Sequence, residues 1–285
     1  MNESDDPVAA PAVLAPPAKV GSDVRLRLLS GIILAPLVFG VVYLGGSAFA
    51  AVVALVVATG LYEWLKLVDP AAPLPDRCGL YGSLALTLLL IAVGMPSLSI
   101  VTLAMATTIF YVQRSNNDLP HSFWFAVGLP YMAGSGLALI YLRDTPVIGL
   151  GIIAYLLAVV WGMDIGAYFT GRLIGGPKLW PSVSPNKTWS GFIGGCVVAF
   201  LAAWGVLVFT HAASHAVGLV VAVLLAAVSQ GGDLFKSFFK RRAGVKDSGN
   251  LIPGHGGILD RIDGLVFAAL LLAFLQAIFG RDMIW

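Results

Sequence analysis

The sequence predicts an all-α, polytopic integral membrane protein of about nine transmembrane helices, and three observations predict it. First, 58% of the residues are hydrophobic and only 11% are charged, against roughly a quarter charged in a soluble domain. Second, apolar stretches recur at lengths close to the ~20 residues that carry a helix across a bilayer. Third, the basic residues collect in alternate connections, as the positive-inside rule requires of a correctly counted set of spans.

Taken in order, the spans fall at about 26–44, 48–67, 79–94, 97–112, 123–142, 147–171, 191–210, 215–232 and 264–280. The third and fourth are short and separated only by Gly94-Met95-Pro96-Ser97, so they read as a hairpin of two spans or as one broken span. Gly45-Gly46 and the stretch from His211 to His215 mark other tight turns. Residues 1–24 carry Pro7, Pro11, Pro16 and Pro17 beside Glu3, Asp5 and Asp6. They lack the basic start and apolar centre of a signal peptide, and read as a disordered tail ahead of a single membrane domain, 25–285. No internal repeat is visible, which weighs against an inverted-repeat transporter. Cys78 and Cys196 make neither a disulfide framework nor a zinc site.

With the N-terminus in the cytoplasm, the inner segments hold Lys19, Arg25 and Arg27, then Lys66 and Arg77, then Arg114. They continue with Arg172, Lys178 and Lys187, and end with Lys236, Lys240, Arg241, Arg242, Lys246 and Arg261. Only Arg143 and Arg281, of the 17 basic residues, fall on the outer side. The net charge of +2 is too small to suggest a nucleic-acid partner; the partner that composition demands is the lipid bilayer. Two polar stretches are long, 172–190 and 233–263, and both lie on the cytoplasmic side. The chemistry is expected there.

In 233–263, Asp233, Ser237 and Lys240 recur at helical spacing beside Leu234, Phe235, Phe238 and Phe239. That pattern predicts a short interfacial helix with its aromatics toward lipid. The glycines and proline of "DSGNLIPGHGG" then break the helix and permit close backbone approach, as phosphate-cradling loops do. Asp260 and Asp263 follow, three apart and so on one helix face if 259–280 is continuous. Two carboxylates at that separation repel unless a cation lies beside them. An oxygen-only donor set suits Mg²⁺ or another hard cation. The spacing equally admits an ion-pair cluster with Arg261, Lys240 or Lys246.

Asp233 closes one span as the aspartate pair opens another, so all three can meet at one membrane depth. Asp164 lies inside the sixth span, where a charge is costly and marks either function or a partner for a buried Lys or Arg. Glu63, in "LYEWLKL", reads as well as part of an interfacial aromatic belt. In the other polar loop, "NKT" invites a P-loop comparison, but Asn186 stands where that motif needs glycine. Lys187 with Ser184 and Thr188 remains, either phosphate-binding groups or a topology charge with polar neighbours. Of the histidines, His211 and His215 occupy an outer turn and His121 begins a span. His255 alone lies among the carboxylates, as a phosphate ligand or a loop brace.

Residues 237–263 resemble the signature of the phosphatidate cytidylyltransferase (CDP-diacylglycerol synthase) family. Ser237, Phe239, Lys240, Arg241, Lys246, Asp247, Gly249, Pro253, His255, Gly256, Gly257, Asp260, Arg261, Ile262 and Asp263 fill it without a gap. "WGMDIGAYFTGR" and "SPNKTWSGFIGG" are similar to the family's other strong blocks, in the same order. The resemblance covers 155–265 well; the first 150 residues match only as a hydrophobic pattern.

The resemblance implies a nucleotidyltransferase of phospholipid biosynthesis, in which the phosphate of phosphatidate attacks the α-phosphorus of CTP. CDP-diacylglycerol and pyrophosphate are the expected products. It implies Mg²⁺ and a second cation, with Asp233, Asp260 and Asp263 as main metal ligands and Asp164 for the second. Catalysis would fall to Asp233, Asp260, Asp263 and Lys187. Lys240, Arg241, Lys246 and Arg261 would hold phosphates, with His255, Ser184, Thr188 and Ser237 lining the substrate site. The expected setting is the cell inner (plasma) membrane, multi-pass, with the active site facing the cytoplasm; a homodimer is compatible with the sequence. The related CDP-alcohol phosphotransferase signature fails, because "DGLVFAAL" gives Phe-Ala where Ala-Arg belongs. An ion-coupled transporter would explain Asp164 but not a lysine-rich loop beside an aspartate pair, and a membrane scaffold explains neither.

Overall fold

The computed structural model describes residues 36–115, 119–245, 247–249, 251 and 256–285. Helical backbone at 36–44 (α1) is the described part of the first expected span. It is followed by α2 (Gly46–Val68), α3 (Leu74–Ala92), α4 (Pro96–Ser115), α5 (Leu119–Arg143) and α6 (Gly149–Ile174). A hairpin of β1 (Lys178–Trp180) and β2 (Ser184–Thr188) leads into α7 (Trp189–Phe209), α8 (His215–Arg242) and α9 (Leu259–Phe279). Among the described residues, eight of these helices are long and apolar enough to cross a membrane.

The ambiguous third and fourth spans are two full helices. Gly94, at φ 79°, supplies the left-handed turn between α3 and α4 that a side chain would resist. Ser99 Oγ then donates to Thr87 O across the pair at 2.5 Å, satisfying a buried hydroxyl that the bilayer could not. α5 is the most enclosed span, packed against α2, α3, α4, α6 and α9.

α6 packs most extensively on α7, and small residues are the reason. A methyl group at Gly162 would stand 3.0 Å from the Ala199 Cα, and one at Gly166 2.9 Å from the Gly194 carbonyl. Without those methyls the two backbones close to contact, the small-residue packing that membrane helices use where no hydrophobic force separates lipid from protein. The consequence is positional: Asp164, on α6, is carried to the wall formed by β2 and the start of α7. Glycine acts in the same way between α8 and α9, where a methyl at Gly232 would lie 2.6 Å from the Asp263 carbonyl.

The structure corrects the expected interfacial helix. Residues 233–242 are not a separate element but the end of α8, which is 28 residues long. At 1.5 Å per residue that is about 42 Å, longer than the ~30 Å hydrocarbon layer. Nor do the aromatics all face lipid. Phe239 is buried and Phe235 half-buried, and both rings pack on Trp64, with centroids 4.8 and 5.8 Å away. Trp124 and Tyr131 complete the cluster, and only Phe238 keeps a substantial exposed face. Four residues apart, Phe235 and Phe239 share one stripe of α8, and that stripe lies against α2 and α5.

The two basic residues outside the inward bias have local partners. Arg143 donates from Nε to Val42 O at 2.7 Å and from Nη2 to Tyr43 O at 3.1 Å, capping the carbonyl end of α1. Arg281 stacks its guanidinium 5.1 Å from the Tyr141 ring centroid. Replacing Arg143 by Ala leaves helix-terminal carbonyls without donors, so we expect a loss of about 1–3 kcal/mol. Thermal unfolding in detergent measures it, and an unshifted transition would show that the cap contributes nothing.

Candidate active site

The site grows from one buried cation. Lys236, on α8, is 3% exposed. Its Nζ lies 2.5 Å from Asp263 Oδ2, 3.1 Å from Asp260 Oδ1 and 3.9 Å from Asp233 Oδ1. A lysine at this depth is tolerated only when neutralised, because removing an ammonium from water costs several kcal/mol. Three carboxylates at such spacing would repel one another without it. Asp233 and Lys236 are three apart on one helix, and Asp260 and Asp263 are three apart on the next. Each pair therefore presents one face, and the close α8–α9 crossing sets the faces together.

Asp260 is saturated. Its Oδ1 also takes Lys240 Nζ at 2.9 Å. Its Oδ2 accepts from the Ser248 and Gly257 amides at 2.9 and 3.1 Å, with Ser248 Oγ also 2.9 Å away. It pins the loop between α8 and α9 rather than facing open space. Asp233 is different: its other oxygen pairs with Lys187 Nζ from β2, and it borders a cavity of about 540 Å³. Asp164, Lys187, Thr188, Arg172 and Gln230 also line that cavity. Asp263 is joined to Asp233 through the Lys236 ammonium that both carboxylates face.

The remaining expected site residues divide. Thr188 lines the cavity, but its Oγ1 already accepts the Gly191 amide at 3.1 Å as the N-cap of α7. Arg241 donates from Nε to Val183 O at 3.3 Å, tying the end of α8 to the β-hairpin. Ser184 opens β2 and Ser237 lies one turn beyond Asp233, and neither lines this cavity. Arg261 is exposed on the first turn of α9. Lys246 and His255 lie outside the described residues.

Two residues were undervalued by sequence reasoning. Lys236 read as one topology charge among six, although its place three after Asp233 was a signal of pairing. Glu63 read as a member of an aromatic belt, yet it is buried and accepts three hydrogen bonds from the α8–α9 loop and the start of α9. Its signal was an acidic side chain inside an apolar span with no basic residue one turn before it.

Among the described residues, no three His, Cys, Asp or Glu side chains converge tightly enough to cage a metal ion. Magnesium does not need such a cage: it keeps its waters and takes one or two carboxylates together with substrate phosphates. Asp233, on the cavity wall with Lys187, and Asp263, joined to it through Lys236, are the carboxylates available for that donor set. Asp260 is the most heavily engaged of the three, each of its oxygens meeting two or more donors.

A family model described as the cytidylyltransferase family matches residues 25–279. A phosphatidate cytidylyltransferase of Brucella suis biovar 1 is 42% identical over 263 residues, spanning 91% of this chain and 96% of its own. Those of Bacillus subtilis and Pseudomonas aeruginosa are each 34% identical, spanning 90% and 87% of this chain and 99% and 97% of their own.

Removing the buried cation exposes the cluster's repulsion. Lys236→Met should destabilise the protein by about 3–5 kcal/mol, the usual result of breaking a buried pair from one side. Adding Asp263→Asn should recover part of that loss. Thermal unfolding in detergent reads both, and a Lys236→Met variant as stable as the parent would refute the cluster's structural weight.

Proposed function

The chain belongs to the cytidylyltransferase family, and from that premise we propose that it transfers the cytidylyl group of CTP to phosphatidate. The products are CDP-diacylglycerol and pyrophosphate. The carrying observation is the cavity bordered by Asp164, Lys187 and Asp233 at the polar end of the bundle, backed by the Lys236 cluster. A phosphate oxygen of phosphatidate attacks the α-phosphorus of CTP, and the bond from that phosphorus to the β-phosphate oxygen breaks. The attacking oxygen is already ionised near neutral pH, so no side chain has to remove a proton from it.

Phosphoryl-type transfer asks a protein mainly to position its reactants and offset their charge. CTP and phosphatidate together bring roughly six negative charges. Lys187 is the mobile part of the answer, since its ammonium can leave Asp233 for a phosphate oxygen when the triphosphate arrives. Asp233 and Asp263 would hold Mg²⁺, and Asp164, on the facing wall, is the remaining carboxylate for a second cation. Magnesium bound there would neutralise phosphate oxygens and favour departure of pyrophosphate. Lys236 stays in place throughout, holding the two carboxylates at a fixed separation.

Depth in the membrane matters as much as charge. CTP is soluble, whereas phosphatidate keeps its phosphate at the headgroup level. The polar end of α8 and α9 is where the two can meet. We place that end in the cytoplasm, and the protein in the cell inner membrane, on the strength of the inward basic bias.

The decisive assay uses labelled CTP and phosphatidate with the detergent-solubilised protein. Labelled lipid should form with Mg²⁺ and not in excess EDTA; no lipid label with Mg²⁺ would end the proposal. Asp263→Asn should abolish product while the protein stays folded, and normal turnover by that variant would remove the metal role. Lys187→Ala should raise KM for CTP about tenfold or more, and unchanged kinetics would return Lys187 to a topology charge.

A further inference from the structure

We infer that Glu63, on α2, is a positioning residue for the site, acting through the loop between α8 and α9. Its carboxylate receives Ser248 Oγ at 2.9 Å and the Leu259 amide at 2.8 Å on Oε2, and the Ile258 amide at 3.0 Å on Oε1. Those donors lie 185 to 196 residues away in sequence. The start of α9 has no side-chain cap of its own. Its leading N–H groups are instead satisfied from another helix, and an acidic acceptor there also complements the helix dipole.

The loop is shaped to admit this carboxylate. A methyl group at Gly249 or at Gly257 would collide with the Glu63 carboxyl oxygens. Two glycines thus leave room for one side chain, and the loop closes around it. From there the connection to the site is continuous. The Ser248 hydroxyl also lies 2.9 Å from Asp260 Oδ2, so its single proton is shared between Glu63 and Asp260. Asp260 holds Lys236, and Lys236 holds Asp263 and Asp233.

Among the described residues, Glu63 does not line the cavity, and its hydrogen bonds go to the loop and the start of α9, so its influence on the site runs along this path. It fixes where α9 begins, and with that the rotation that points Asp263 at α8. A neutral amide cannot do the same, because Gln would turn an N–H₂ toward at least one of the three donors. The inference rests on the proposed reaction for its kinetic half only.

The test compares Glu63→Gln and Glu63→Asp with the parent, all in detergent. Amide hydrogen exchange should rise at Ile258 and Leu259 in Glu63→Gln; this readout needs no turnover. In the CTP and phosphatidate assay, kcat should fall about 10- to 100-fold, as loss of a supporting hydrogen-bond partner does, with KM for CTP within about twofold. Glu63→Asp, which keeps the charge at shorter reach, should recover part of kcat. Unchanged exchange overturns the anchor, and raised exchange with parental kcat overturns the positioning role. A parent protein that makes no labelled lipid, while exchange rises in Glu63→Gln, refutes the reaction and leaves the anchor standing.

Discussion

A single ammonium group buried among three carboxylates organises this protein. Lys236 cannot be neutralised by solvent at its depth, so the fold must deliver Asp233, Asp260 and Asp263 to it. Delivering them fixes the crossing and rotation of α8 against α9, because each helix presents its two charged positions on one face. Everything else at this end attaches to that arrangement. Lys187 brings the β-hairpin to Asp233, Lys240 adds a second cation to Asp260, and Ser248 and Glu63 fasten the loop that leads into α9. Replacing such a cluster by apolar packing is often neutral for stability, so the cluster's effect is on the geometry of this end of the bundle rather than on net stability.

Hydropathy made the spans legible because the bilayer imposes the signal it measures: twenty apolar residues in a row have few other uses. The end of α8 escaped for the same reason. Its run of charged residues after Gln230 ends the apolar signal, but a helix leaving the hydrocarbon layer satisfies its own backbone and has no cause to stop. The aspartates were legible as charges out of place. Their partner was not, because a lysine near the end of a span is ordinary until the tertiary crossing buries it. Glu63 was opaque for the most basic reason: its three donors are nearly two hundred residues distant, and no periodicity reports a contact of that kind.

The close α6–α7 pair explains how a carboxylate inside a span becomes part of a polar site. Asp164 alone on α6 would face lipid or a neighbouring side chain, each costly. Gly162 and Gly166 let α7 approach until the segment before it, which carries Lys187 and Thr188, lies beside Asp164 and shares a cavity with it. Thr188 then caps α7 while Lys187, next to it in sequence, turns to Asp233. One extended strand thereby caps the start of a helix and supplies the cavity's lysine, and the packing that admits it is set by residues with no side chain to contribute.

Asp260 and Asp263, three apart in "DRID", look interchangeable in the sequence and are not. The helix places both on the face toward α8, but a three-residue step also moves about 4.5 Å along the axis. At the first turn Asp260 meets the returning loop: two backbone amides take its Oδ2, and Lys240 and Lys236 take its Oδ1. One turn deeper, Asp263 is past the loop: its Oδ2 meets the buried ammonium, and its Oδ1 accepts the Gly264 amide at 2.9 Å. The same side chain therefore does two jobs according to depth: the outer carboxylate folds the loop, and the inner one ties the buried ammonium to the crossing of α8 and α9. Glu63 sharpens the division. By taking the α9 amides that Asp260 could otherwise serve, it leaves Asp260 for the lysines and holds the turn on which Asp263 depends.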